Sequence, residues 1–199
     1  STHADRARDP ESMVRLAEGL MRGGRPGPAS AERLIVFARP AVPGAAKTRL
    51  IPALGAEGAA ELHARMAAHA VAAARRAAMD RSARLELHVA GGGPDRLGPD
   101  LAHRTQAEGD LGARMRAAFA GAFEAGAERV VLIGTDCPDL DEYVIGDAFD
   151  ALRRADVVLG PAYDGGYYLI GLRRPEPKLF DDVPWGTSEV LARTEAAVV

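Results

Sequence analysis

The chain has 199 residues, 47% of them hydrophobic and 27% charged, enough for one sizeable core and not for two. A net charge of −3 provides no basic surface for DNA or RNA, and no apolar stretch approaches the ~20 residues of a membrane-spanning helix. The lone Cys137 excludes an intramolecular disulfide framework, and the polar N-terminus is unlike a secretory signal, so a cytoplasmic protein is expected.

Residues 1–31 differ in composition from the rest. They hold one short helical stretch, MVRLAEGLMR, and a GGRPGPAS linker, and are expected to be peripheral or flexible. A single domain is expected over 33–199. It opens with the apolar run RLIVFAR, a buried strand. A loop follows, in which Pro40, Pro43 and Gly44 prevent regular structure. Ala56–Met79 is alanine-rich, with Leu62, Met66, Ala70 and Val71 at helical spacing. Arg84–Ala90 and Leu101–Gln106 read as strands. Leu111–Ala125 reads as a helix capped by Asp110, Arg129–Gly134 as a central strand and Asp141–Ala155 as a helix. Asp156–Gly160 and Gly166–Leu172 are two further strands, and a helix runs from Glu189. Strands alternating with helices predict an α/β sandwich with a mostly parallel sheet. The last two strands lie too close together for a crossover helix, so that pair adds an antiparallel or mixed element.

Five segments carry candidate chemistry. In VVLIGTDCPDL, an apolar run stops at a glycine and Asp136 follows. That places a carboxylate at the end of a central strand, where α/β sheets bind ligands. Such an acid suits a divalent metal shared with a nucleotide phosphate. Arg39, Lys47 and Arg49 put three cations around the Pro43-Gly44 turn, either a polyphosphate clamp or a solvated basic loop. The spacing is not that of a Walker A loop. Gly109 and Gly112 bracket a helix start, where free N–H groups attract anions, and Gln106 can reach a base edge. The simpler alternative there is capping by Asp110 and a surface pair for Arg114. Asp164, Gly165 and Gly166 precede Tyr167 and Tyr168. This is a second metal ligand or sugar contact with room beside it, or a tight turn with aromatic filling. Adjacent strand residues face opposite ways, so one tyrosine at most lines a site. Trp185 and Thr187 form either an acceptor wall or a packed helix start. Cys137 has no histidine nearby in sequence to activate it, and the five histidines show no ligand spacing and read as structural or solvent-facing.

Taken in order, VFARPAVPGAAKTRL, QAEGDLGARM, IGTDCPDL, LGPAYDGGYYLIGL and VPWGTSEV resemble one bacterial family. It was first defined only as a domain of unknown function, DUF2064, and is commonly labelled as glycosyltransferases of radical-SAM and arsenosugar gene neighbourhoods. Its superfamily is the nucleotide-diphospho-sugar transferases. More distantly, the chain is similar to the guanylyltransferases of molybdenum-cofactor and F420-cofactor biosynthesis. The resemblance covers residues 33 to about 190 and implies a Rossmann-like three-layer α/β/α sandwich with a mixed sheet. It places Gly44, Lys47, Thr48 and Arg49 on nucleotide phosphates and Gly109, Asp110 and Arg114 near the nucleoside. It places Mg²⁺ or Mn²⁺ on Asp136, beside which Asp164 stays the second candidate ligand from its own segment. The acceptor would meet Asp164, Gly165, Gly166, Tyr167, Trp185 and Thr187. Arg39 stands where relatives usually have lysine, the neighbouring proline has moved to Pro40, and Gly186 replaces a usual serine. Relatives continue past the position of Val199 into a strand and an aspartate-bearing segment. A sheet edge left short there would favour a homodimer.

The expected activity is nucleotidyl transfer from a nucleoside triphosphate to a phosphorylated small molecule, with release of pyrophosphate. The basic loop suits a departing pyrophosphate, and a lone Asp136 before Cys-Pro is unlike the Asp-x-Asp of metal-dependent glycosyltransferases. Glycosyl transfer from a nucleotide sugar and non-catalytic nucleotide binding are the alternatives.

Overall fold

The computed structural model describes residues 31–91 and 97–198. The N-terminal segment, with its expected helix and linker, lies outside the described residues. The sheet has six strands: β1 (Glu32–Ala38), β2 (Arg84–Val89), β3 (Ala102–Thr105), β4 (Arg129–Ile133), β5 (Val157–Pro161) and β6 (Tyr167–Leu172). Their order is β3-β2-β1-β4-β6-β5. β1 pairs in parallel with β2 and β4, and β2 with β3. β6 runs antiparallel to both β4 and β5, as the short gap at Asp164-Gly165-Gly166 required.

Period-two alternation splits β1 between the two faces. Leu34, Val36 and Ala38 point to one side, with α1 (Ile51–Arg81) and α3 (Glu142–Ala151). Ile35 and Phe37 point to the other, with α2 (Leu111–Glu124) and a 3-10 turn at Pro177–Phe180. Leu191 of the last helix, α4 (Val190–Ala196), packs on this second side. Helices thus cover both faces, and the fold is the three-layer α/β/α sandwich expected.

Gly55 (φ 72°, ψ 167°) separates the first turn of α1 from the rest, so the long helix proper starts at Ala56. Its buried stripe is Ala59, Ala60, His63, Ala67, Ala70, Val71, Ala73, Ala74, Ala77 and Ala78. Leu62 and Met66 are only half-buried. The small side chains seat this helix against the sheet; of the stripe read from sequence, Ala70 and Val71 are buried, while Leu62 and Met66 lie one residue away from the buried His63 and Ala67. The difference matters because the observed stripe contains His63.

Asp110 and Asp141 cap α2 and α3, accepting hydrogen bonds from Ala113 N at 2.8 Å and Val144 N at 2.9 Å. Two charged clusters are built into the sheet. At the starts of β1 and β4, buried Glu32 accepts from Arg81 and Arg129, and Arg81 also reaches Asp150 and stacks over Phe149. On the α2 side of β2, Glu86 is 2% exposed and is surrounded by Arg33, Arg84, His88 and Arg104.

A candidate active site at the carboxyl rim of the sheet

The connections singled out from sequence all lie at one rim. β1, β2, β3 and β4 are parallel, so the loops after them emerge together, including the Gln106–Asp110 link into α2. β6 runs the opposite way and starts where β4 ends: Gly134 N donates to Tyr168 O at 3.0 Å. That brings the turn at 162–166 to the same rim.

The loop after β1 folds on itself through Ala45 N and Ala46 N, both donating to Val42 O. Gly44 has φ 83°, which the turn requires. Lys47 is also left-handed (φ 46°, ψ 49°), a conformation lysine seldom adopts. This backbone aims the ammonium inward: Lys47 Nζ donates to Asp136 Oδ1 at 3.1 Å. Arg39 and Arg49 are exposed and have no ion-pair partner among the described residues. Thr48 opens the short 3-10 turn into α1 and is exposed.

Asp136 follows β4 and is 71% exposed, against 17% for Lys47. A third group meets it. His63 Nδ1 lies 3.8 Å from the same Asp136 oxygen, and His63 Nε2 is 3.1 Å from Arg39 O. A carbonyl only accepts, so Nε2 carries the proton. His69, two turns further along α1, is 2.9 Å from Leu140 O in the same way. These two histidines pin the loops after β1 and β4 to one helix. Sequence reading set His63 aside as structural, yet it borders the acid. Its place on the small-residue stripe of α1 was the available signal.

The other sequence candidates are placed as follows. Gln106 is buried and donates from Nε2 to Ala38 O and His88 O, so its amide group ties strand ends together rather than presenting its N–H groups to a base. Gly109 has φ 106°. Arg114 donates through Nε to Gly109 O at 2.9 Å, closing the turn instead of forming a surface pair. Asp164 Oδ1 accepts from Gly166 N at 3.0 Å, which makes 164–166 a tight turn. Gly165 has φ 85°, and a Cβ there would fall 2.6 Å from Ser188 Cα; Leu191 N donates to Gly165 O. Trp185 lies edge-on to Tyr167, with centroids 6.4 Å apart. A Cβ on Gly112 would sit 2.7 Å from its indole nitrogen. Trp185 therefore joins the start of α2 to β6. Thr187 donates to Pro184 O, closing the turn before α4. Tyr167 joins the α2-side core and Tyr168 the α1-side core, opposite faces as expected. Burial pushes the Tyr168 phenol up to about 12 and raises the Tyr167 phenol further. Burial also raises the Cys137 thiol, which keeps it protonated and weakly nucleophilic.

Among the described residues, no three His, Cys, Asp or Glu side chains form a metal cage. Asp136 nevertheless fits a hard divalent cation. Mg²⁺ binds through one or two carboxylates plus substrate phosphates, and the mostly exposed Asp136 carboxylate could supply one such oxygen ligand. No helix of the described residues is long and apolar enough to cross a membrane.

A mostly parallel sheet with helices on both faces and an antiparallel β6 is the nucleotide-diphospho-sugar transferase type of fold. The chain belongs to the family described as "Uncharacterized protein conserved in bacteria (DUF2064)", whose model matches residues 59–187. It is similar to a crystal structure from Desulfovibrio desulfuricans G20 described as a "putative nucleotide-diphospho-sugar transferase". The two share 34% identity and a TM-score of 0.73, over 83% of this chain and 74% of that one. No curated protein matches. The family match starts after the Arg39–Leu50 loop, so Lys47 and Arg49 lie outside it, while Asp136, Asp164 and Trp185 lie inside.

Proposed function

We propose that this protein is a divalent-metal-dependent transferase acting on a nucleotide. Its reaction is nucleotidyl transfer from a nucleoside triphosphate to a phosphorylated small molecule. The observation that carries this reading is the 3.1 Å approach of Lys47 to Asp136: a cation from the loop after β1 and an acid from the end of β4 meet at one point.

An acceptor phosphate oxygen attacks the α-phosphorus. The new O–P bond forms in line with cleavage of the bond to the β-phosphate bridge, and pyrophosphate departs with the electron pair. Lys47 and Arg49 neutralise the departing charge. Arg39 and the Gly44 turn help to hold the polyphosphate. Gly109, Asp110 and Arg114 bound the nucleoside side, and the 164–167 turn with Trp185 and Thr187 bounds the acceptor side. Asp136 would hold Mg²⁺ or Mn²⁺, with Asp164 as a second candidate ligand; the cation supplies charge stabilisation at the phosphates.

A second reading is glycosyl transfer from a nucleotide sugar, favoured by the description of the D. desulfuricans protein. Thermal shift against nucleoside triphosphates and nucleotide sugars, with and without Mg²⁺ or Mn²⁺, combined with pyrophosphate detection, tests both. Metal-dependent stabilisation by a triphosphate and pyrophosphate release with a phosphorylated acceptor are expected. Stabilisation by one nucleotide sugar alone, with no pyrophosphate, would replace nucleotidyl by glycosyl transfer. Metal-indifferent binding without product would leave a nucleotide-binding protein.

A further inference from the structure

The cation assigned to phosphate and the acid assigned to metal neutralise each other. Lys47 and Asp136 are 89 positions apart in sequence, so the contact is made by the fold and not by chain proximity. The backbone of the loop directs it. Lys47 takes a left-handed backbone conformation, and its carbonyl accepts from Leu50 N at 2.8 Å, which fixes the direction of the side chain. On the far side of the contact, the buried His63 ring lies 3.8 Å from the same carboxylate oxygen, while its other nitrogen is held by Arg39 O.

We infer that the Lys47–Asp136 pair is a latch that couples metal and polyphosphate binding, each ligand being admitted poorly without the other. This rests on the reading given under Proposed function. A divalent cation approaching Asp136 alone meets the Lys47 ammonium beside the oxygen it needs. A polyphosphate approaching Lys47 alone meets the Asp136 carboxylate. The ion pair has to open once, whichever ligand arrives, and the second ligand then finds its partner already released. Linkage makes the effect reciprocal: the factor by which metal strengthens polyphosphate binding equals the factor by which polyphosphate strengthens metal binding. Lys47 thus has a role apart from its contact with phosphate: in the empty site it holds the metal position closed.

The latch predicts gains of affinity on removing site residues. Isothermal titration with Mn²⁺ alone should show Lys47→Met binding about fivefold or more tighter than the unsubstituted protein, within the usual span of coupling factors. Titration with inorganic pyrophosphate alone, without metal, should show Asp136→Asn binding tighter by a similar factor. Arg49→Met removes a nearby charge that is not part of the pair and should leave Mn²⁺ affinity within about twofold, the scatter expected for screened surface charges. Thermal melts confirm that each variant is folded. Unchanged or weaker Mn²⁺ binding by folded Lys47→Met, or an equal gain in Arg49→Met, overturns the latch while leaving the transferase reading standing. Failure of every form to bind Mn²⁺ or pyrophosphate overturns both.

Discussion

The two ends of the sheet solve opposite problems with the same kinds of side chain. At the starts of β1 and β4, Glu32 is buried and shared by Arg81 and Arg129, and Arg81 also spans to Asp150 and lies 5.2 Å from the Phe149 ring centroid. Every charge there is satisfied by the protein. At the carboxyl rim, Asp136 is mostly exposed and Lys47 holds one of its oxygens, while Arg39 and Arg49 have no ion-pair partner among the described residues. One end is a closed network joining α1, α3 and two strands. The other leaves charge available to a ligand. The proposed function places catalysis at the second end and stability at the first, and substitutions should separate them.

The sharpest test of that separation is Glu32→Ala. Removing the buried carboxylate leaves Arg129 without its close partner and Arg81 with Asp150 alone, at a cost of about 3 kcal/mol, a large share of a domain's stability. The urea midpoint should fall accordingly, while turnover per folded molecule is retained. A midpoint within error of the unsubstituted protein would break the comparison. Asp136→Asn should behave inversely: turnover falls about a hundredfold or more and the melting temperature is unchanged. Retained turnover in that variant would remove the acid from the chemistry.

Gly165→Ala probes the packing of the carboxyl rim itself. It forces a side chain into a φ of 85° and against the Ser188 backbone, so a loss of about 1–3 kcal/mol is expected. An unchanged melt would show that the segment before α4 moves aside freely.

The Glu86 cluster predicts acid sensitivity. Burial alone would raise the Glu86 carboxyl, but the His88 hydrogen bond and the Arg33 and Arg104 guanidiniums together hold it below its ordinary value. Burial lowers His88, against the pull of Glu86. Both groups bind protons more weakly folded than unfolded, so both contribute stability at neutral pH that is lost on acidification. His88 acts first, below its ordinary 6.5, and Glu86 follows below its ordinary 4.5. Urea midpoints should fall from about pH 7 towards pH 4, and His88→Gln should remove the first part of the fall. A midpoint that rises on acidification would contradict this. The smallest effect belongs to Cys137→Ser, whose turnover should match the unsubstituted protein; a large loss would give the thiol a role that its burial argues against.

Much of this was legible in the chain. Five of the six strands, the helix starts at Asp110 and Asp141 and the break at Gly55–Ala56 follow from apolar runs, capping side chains and glycine, all local signals; β3 is a polar, exposed strand. The antiparallel β5–β6 pair followed from a connection too short for a crossover. Asp136 was placed by the abrupt end of an apolar strand. What escaped was what depends on packing. His63 looked idle because only its place among the alanines of the buried stripe marks it, and the first half of the α1 stripe was misjudged because small alanines, not Leu62 and Met66, face the sheet there. Gln106 looked like a base reader because sequence does not show that two strand-end carbonyls take its amide hydrogens.

The sequence alone determined which segments become strands and helices and which residue types end at the loops, because those depend on periodicity and on backbone preferences within a few positions. Only the tertiary structure decided that Lys47 meets Asp136 and that His63 stands behind them. Contacts across 89 positions arise from parallel strand order and the direction of a left-handed turn, and neither is written in any local run of residues.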